Sequence, residues 1–311
     1  MYLLADIGGT NCRMALADES GLLPASQRSF ANDDFATFYD LLAAFLASHD
    51  APTVTSACIA IAGPVTGRTA RVTNRAWEIC SDALERDHRL GRVQLINDLS
   101  ALGYASAALP ATGFQRLRDG GAASSGNGQS LVLGVGTGLN ICPVRDLGTG
   151  LPSVAQSEMG HAGIPAPSLT YLTDAIGAKA PDFPSNEQCL SGLGLAALYA
   201  ARCGGTLQGH QIMAAANDGS DPDAAATIDL AAALLGVLVK ELTYQFMPLN
   251  GIYLAGSVAR SLCDETHLPK VLAAHDGVKR RLDDSLPAVP LSLITDDAAA
   301  LVGCLAVARS L

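Results

Sequence analysis

The stretch YLLADIGGTNCR, Tyr2 to Arg13, decides how the rest of the chain is read. An apolar run, Leu3, Leu4 and Ala5, ends on the acid Asp6 and passes into Gly8, Gly9, Thr10 and Asn11. A second phrase of the same kind, LVLGVGTGLN, runs from Leu131 to Asn140 and continues to Val144. Each reads as a buried strand, a Gly-Thr turn and a second strand. Glycine lets a backbone approach a ligand closely, and turn amides can converge on anionic oxygens. Two such turns far apart in sequence suit a phosphate chain held from two sides. The plainer alternative is a pair of ordinary hairpin turns.

Outward from these phrases, strands and helices alternate. Helical spacing from Asp33 to His49 places Phe38, Leu41, Leu42 and Phe45 on one face. Thr53 to Ala62 reads as a buried strand closed by Gly63-Pro64, and Val65 to Asn74 as a short hairpin around Gly67. GPVTGRT, Gly63 to Thr69, superficially resembles a P-loop. It has only three residues between its glycines and Arg68 in place of lysine, so that reading is rejected. Ser81 suits the N-cap of a helix to Leu90.

A strand from Arg92 to Ile96 then runs into Asn97-Asp98 and a helix to Leu109. A carboxylate at the end of a strand in an open α/β sheet lies where ligands bind, yet Asp also caps helices well. The residues alone favour the cap. The polar, Gly- and Ser-rich stretch Pro110 to Ser130 reads as an inter-domain crossing.

The loop from Pro152 to Pro167 contains Glu158 and His161, which can hydrogen-bond a polyol or simply stabilise a turn. Glu187, a long helix from Asp223 to Phe246 and a strand from Ile252 to Ala255 ending at Gly256-Ser257 follow. A last helix from Asp296 to Arg309 has acids at its start and a base at its end, matching the helix dipole. The recurring strand–Gly-Thr–strand phrase is consistent with an old duplication.

Composition narrows the partners. With 49% apolar and 16% charged residues over 311 positions, the chain describes a soluble globular protein of two domains or one large one. A net charge of −10, with Lys279-Arg280-Arg281 as the one tight basic cluster, argues against nucleic acid. An acidic protein still binds a polyphosphate when Mg²⁺ and backbone amides neutralise it. No basic segment followed by a long apolar core opens the chain, so no signal peptide is expected. The apolar core Leu230 to Val239 is too short to span a bilayer and ends at Lys240 and Glu241, so no membrane partner is expected. Eight cysteines without a CxxC pair point to a reducing, cytoplasmic setting and not to disulfides or zinc.

Taken together and in order, DIGGTNCRMAL, IAGPVTG with VTNRAW, INDLSALGYA, LGVGTGLN, EMGH, EQCLSGLGL and YLAGS resemble the bacterial glucokinases. That family belongs to the superfamily of actin, the heat-shock chaperones and hexokinase. The resemblance runs nearly end to end and implies an α/β fold of two ribonuclease H-like (actin-like ATPase) domains flanking a cleft. The expected division is 1–109 with 296–311 as the smaller domain, to which the last helix returns, and 110–295 as the larger.

The resemblance also implies roles, residue by residue. Asp6, Gly8, Gly9, Thr10 and Asn11 match the first phosphate motif, with Asp6 near the Mg²⁺ ion through water. Gly136, Thr137 and Gly138 match the second, and Gly256 and Ser257 the adenosine turn. Asn97, Asp98, Gly138, Glu158, His161 and Glu187 match the sugar-binding set, and Asp98 the catalytic base. Asn74 and Trp77 are candidates for lining the first-domain side of the cleft, although a lone Trp is more often core.

ATP with Mg²⁺ is the expected cofactor, glucose the expected substrate and a homodimer the expected assembly. The zinc-binding Cys-rich segment and the DNA-binding helix pair of the related repressor–kinase branch have no counterpart in the sequence. Three positions depart from the family pattern: Asn140 and Met159 stand where glycine is usual. Ser257 replaces the second glycine of the adenosine turn, without the usual following proline. The alternatives are a kinase for another hexose or an amino sugar, and a catalytically silent sugar sensor. A nicotinamide-dependent oxidoreductase fits poorly, because neither Gly-rich turn is a GxGxxG opening a helix.

Overall fold

The computed structural model describes residues 1–73, 75–121 and 126–311. Asn74 and residues 122–125 of the expected crossing lie outside the described residues. The fold is mixed α/β, in two compact units. The first comprises Met1–Gly113, Asp146–Gln156 and Asp296–Leu311, the second Phe114–Arg145 and Ser157–Thr295.

In the first unit, β1 (Tyr2–Ile7) and β2 (Asn11–Asp18) form an antiparallel hairpin with Ile7 opposite Cys12. β1 also pairs in parallel with β5 (Ser56–Ile61), and β5 with β9 (Arg92–Asn97). The short strands β3 (Gly21–Leu22) and β4 (Arg28–Ala31) pair with β2, giving the order β3-β2-β1-β5-β9. β1 is therefore central, which is why its sequence is continuously apolar instead of alternating.

Side chains still alternate between the two faces. Leu3, Ala5 and Ile7 join Phe38, Leu41, Leu42 and Phe45 of α1 (Phe38–Ala47). Leu4 joins Ala101 of α3 (Asp98–Ala108) and Leu301, Cys304 and Leu305 of the C-terminal helix Ala299–Arg309. Full burial of each such leucine contributes about 1.5–3 kcal/mol. The C-terminal helix and α3 cross closely: a Cβ on Gly303 would lie 1.8 Å from the Ala101 carbonyl oxygen.

Several boundaries differ from the sequence reading for local reasons. α1 begins at Phe38 and not at Asp33, because Thr37 and Asp40 form a reciprocal capping box. α2 (Ser81–Asp87) takes Ser81 as its first helical residue, after a Cys80 cap that makes no side-chain bond. The C-terminal helix has no acid in its first turn; Asp296 instead accepts the Ala298 N–H at 2.8 Å just ahead of it. β6 (Val65–Thr66), β7 (Thr69–Arg71) and β8 (Glu78–Cys80) make a small separate sheet, its tight turn set by Gly67 at φ +59°. Residues 146–156, which carry β13 (Ser153–Val154), pack with this unit beside α3.

The second unit repeats the arrangement. β11 (Gln129–Val135) and β12 (Leu139–Arg145) form an antiparallel hairpin with Val135 opposite Leu139. β14 (Gly251–Ala255) runs parallel to β11, and β15 (Leu291–Ile294) parallel to β14. β10 (Phe114–Arg118) lies antiparallel on the outer edge of β15. In both units a hairpin is extended by two parallel strands.

The core of this unit is built around α8 (Pro222–Phe246), whose N-cap Asp221 accepts the N–H groups of Asp223 and Ala224 at 2.8 and 3.1 Å. At 25 residues it is longer than the apolar core read from the sequence, and long and apolar enough to cross a membrane. Yet 67% of its most apolar window is buried inside the unit. Its neighbours are α4 (Ala166–Ile176), α6 (Gly192–Cys203), α7 (Gly209–Asn217), α10 (Leu268–Gly277) and β11. The short helices α5 (Asn186–Cys189) and α9 (Ser257–Leu262) complete the elements that carry the site.

Candidate active site

In the first unit, the turn Gly8–Thr10 is held from outside the motif. The buried Asn32 donates from Nδ2 to the Gly8 carbonyl at 2.9 Å and from its backbone N–H to the Thr10 carbonyl at 2.8 Å. Arg75 donates from Nε to the Gly9 carbonyl at 3.4 Å and from Nη1 to the Asn32 carbonyl at 3.2 Å. Its guanidinium lies 5.1 Å from the Trp77 ring centroid and pairs with Asp33. A trans peptide sets its C=O and N–H on opposite sides. With the carbonyls of Gly8 and Gly9 drawn to these donors, the N–H groups of Gly9 and Thr10 face the other way. Gly9 and Thr10 are exposed, so those amides are available to an anion.

Two carboxylates share that unit. Asp6 stands opposite Arg13, whose Nη1 is 3.9 Å from Oδ2. Burial raises the Asp6 pKa, and Arg13 opposes the shift. Asn97 ends β9 and caps α3: its Oδ1 accepts the Leu99 N–H at 3.0 Å, and its Nδ2 reaches the Gly63 carbonyl at 3.4 Å. Asp98 is thus not the cap but the first helical residue, although its Oδ1 also accepts from Leu99 N–H at 2.9 Å. Burial, followed by the Asp6 charge, pushes the Asp98 pKa up to about 6, against the pull of its backbone hydrogen bonds. Both acids lie at the carboxyl ends of parallel strands.

In the second unit, the Gly136 N–H closes the hairpin turn on the Gly138 carbonyl at 2.9 Å, and the Gly136 carbonyl accepts from Gly192 N–H at 2.9 Å. Glu187 of α5 accepts the Leu139 N–H on Oε2 at 2.9 Å. A Cβ on Gly138 would lie 2.7 Å from that oxygen, and one on Gly160 would lie 2.2 Å from the Leu139 carbonyl oxygen. Gly160 is therefore required by close approach to backbone, whereas a Cβ at Gly138 would have to displace the Glu187 carboxylate. Gly256, at φ +98°, brings the turn after β14 against β11, where a Cβ would meet the Val135 carbonyl oxygen at 2.4 Å. A Cβ on Gly136 would sit 3.9 Å from Ser257 N, so the Gly136–Gly138 turn and Gly256-Ser257 are neighbours.

Glu158 and His161 are exposed at the two ends of one 3₁₀ turn, where the His161 N–H bonds the Glu158 carbonyl at 3.1 Å. Trp77 is core: it is 4% exposed and its Nε1–H donates to the Ala36 carbonyl at 2.9 Å. The partner proposed with it, Asn74, is outside the described residues. Four bracing residues had no role in the sequence reading: Asn32, Arg75, Asn140 and Asn186. They act over long sequence separations through backbone groups, which no local pattern announces.

Among the described residues no three or more His, Cys, Asp or Glu side chains gather as a metal cage. Mg²⁺ differs from metals that need such a cage, since it keeps several waters and takes one or two carboxylates plus substrate phosphates. The partly exposed Asp6 beside an amide-lined turn suits that mode of binding.

Residues 3–311 match the glucokinase family. The chain belongs to that family. Glucokinase of Saccharophagus degradans is 30% identical over 98% of this chain and 97% of its own length. A crystal structure of glucokinase from an Antarctic psychrotroph superposes with a TM-score of 0.85 at 25% identity, covering 100% of this chain and 99% of that one. Glucokinase from Balamuthia mandrillaris, solved in complex with glucose, gives 0.69 at 25% identity over 99% and 93%. Of the segments that carry the resemblance, those up to INDLSALGYA lie in the first unit and those from LGVGTGLN onward in the second.

Proposed function

We propose that the chain transfers the γ-phosphoryl group of ATP, as its Mg²⁺ complex, to the 6-hydroxyl of glucose, giving glucose 6-phosphate and ADP. The observation that carries this reading is Asp98, a carboxylate at a strand end held at a pKa of about 6 by burial and by Asp6. Near neutral pH it is ionised yet basic enough to accept a hydroxyl proton. Asp98 takes the proton from O6 as that oxygen attacks phosphorus, and the bond from phosphorus to the β,γ-bridging oxygen breaks to release ADP. The turn amides of Gly9, Thr10, Thr137 and Gly138 bind phosphate oxygens, and Gly256-Ser257 holds the adenosine. Asp6 would hold Mg²⁺ through water, and the bound ion supplies charge neutralisation on the phosphates.

Asn97, Asp98, Gly138, Glu158, His161 and Glu187 bind the sugar hydroxyls, each polar group holding one or two with directional bonds. Both units are ribonuclease H-like in this reading, divided as 1–109 with 296–311 and 110–295, apart from residues 146–156, which pack with the first. The support is the shared hairpin-plus-parallel-strands order. A cytoplasmic, glycolytic enzyme is inferred, with eight free cysteines in support, and a homodimer is inferred from the family resemblance. The test is a panel of hexoses and amino sugars with purified protein and Mg-ATP, read by coupled ADP release. Glucose is expected to give the highest kcat/KM. Preference for another sugar would replace the substrate, and no turnover with any would leave a sugar sensor.

A further inference from the structure

The turn bearing Glu158 and His161 belongs to no sheet and no long helix, and beyond its own short backbone bonds it is held by side chains reaching it. Asn140, at the start of β12, turns both ends of its carboxamide to that turn. Oδ1 accepts the Met159 N–H at 3.0 Å and the Ile141 N–H at 2.8 Å. Nδ2 donates to the Ser157 carbonyl and to Glu158 Oε2, the latter at 3.3 Å. The far side is gripped by Asn186, 2% exposed, whose Nδ2 donates to the carbonyls of Met159 and Ala162 at 3.0 and 3.2 Å.

We propose that Asn140 is a positioning residue for sugar binding, setting the Glu158 carboxylate and its turn before the sugar arrives. This rests on the assignment of Glu158 and His161 to the sugar. An exposed glutamate samples many rotamers, and fixing one costs entropy that would otherwise be charged to ligand binding. Only a carboxamide supplies both the acceptor for Met159 and the donors for Ser157 and Glu158. Aspartate would lose the donors and set a second negative charge beside Glu158, whereas alanine loses every bond. Because the ground state and transition state share the held sugar, the loss should appear in KM and not in kcat.

The experiment compares Asn140→Asp, Asn140→Ala, Glu158→Ala and Asn140→Ala/Glu158→Ala by steady-state kinetics, melting temperature and hydrogen exchange over 157–162. Asn140→Ala and Asn140→Asp should each raise the glucose KM about tenfold, with kcat and the ATP KM within twofold and faster exchange in that segment. The double variant should bind glucose no more weakly than Glu158→Ala alone, because the two act as one unit. A raised glucose KM in Glu158→Ala with an unchanged one in both Asn140 variants overturns the proposal and leaves the sugar assignment standing. A lowered melting temperature with unchanged glucose KM also overturns it, since that is a structural role. An unchanged glucose KM in Glu158→Ala removes the sugar assignment and the proposal together.

Discussion

The two Gly-Thr turns look alike in sequence and are held by side chains of opposite kind. In the first, carbonyls are gripped by donors, the amide of Asn32 and the guanidinium of Arg75. In the second, an amide N–H is gripped by an acceptor, the carboxylate of Glu187, beside a backbone approach too tight for a Cβ at Gly160. The first turn sits with two acids of raised pKa. The second sits with exposed polar groups on a side-chain-clamped loop. A repeated hairpin thus supplies backbone amides in both units, and the surroundings set what each turn is suited to. The first suits proton and metal chemistry, the second the holding of a shape.

The sharpest way to break that division is Asp98→Asn. The amide keeps the size and the bond from Leu99 N–H but cannot accept a proton. Phosphoryl transfer should fall by about 10²–10⁴-fold with glucose affinity retained. Near-normal turnover would remove the base from the first unit.

The next effect is pH. Since Asp98 in the folded protein holds its proton up to about pH 6, stability from this group is fullest below the usual carboxylate range. It is lost as pH rises through 6, when the buried charge appears. Activity runs the other way, because only the ionised form accepts the hydroxyl proton. The kcat/KM for glucose should drop about tenfold per unit below pH 6, read in a buffer series under conditions where the protein stays folded. A flat profile from pH 5 to 7.5 would leave the raised pKa without a catalytic use.

Most of the fold was legible because its signals are local. The continuous apolar run at Leu3–Ala5 marked a buried strand, and the 3.6-residue spacing of Phe38, Leu41, Leu42 and Phe45 marked a helix face. The candidate site residues were named by the resemblance of the ordered motifs, since the strand-end acid and Gly-Thr turns alone read equally as a cap and ordinary hairpins. Caps were less legible. Asn97 and Asp98 are both good cappers, and only the end of β9 decides that Asn97 takes the role. The bracing of the turns was illegible: Asn32 lies 24 residues from Gly8, and Arg75 66 from Gly9. Asn140 stood out only as a departure from the family's glycine, with nothing nearby in sequence to say that it reaches residues 157–159.

Two glycines extend the comparison to smaller effects. Gly160→Ala forces a Cβ toward the Leu139 carbonyl oxygen, which lies 2.2 Å away and is backbone that cannot swing aside. Overpacking of this kind costs about 1–3 kcal/mol, readable as a lowered denaturation midpoint. The displaced turn should raise the glucose KM as well. Unchanged stability would mean that the second turn is less rigidly packed than its contacts imply.

Gly9→Ala should be the mildest substitution for folding. A Cβ there meets nothing within 4 Å, and the residue is exposed, so stability should move by no more than about 0.5 kcal/mol. If the glycine serves a ligand, the added methyl group occupies the space through which a phosphate reaches the Gly9 and Thr10 amides. The ATP KM should then rise severalfold while the glucose KM stays put. Calorimetric titration of each ligand against the variant separates these effects from any change in folding. An unaltered ATP affinity would make the first turn an ordinary hairpin, and phosphate binding would then have to rest on Gly136–Gly138 alone.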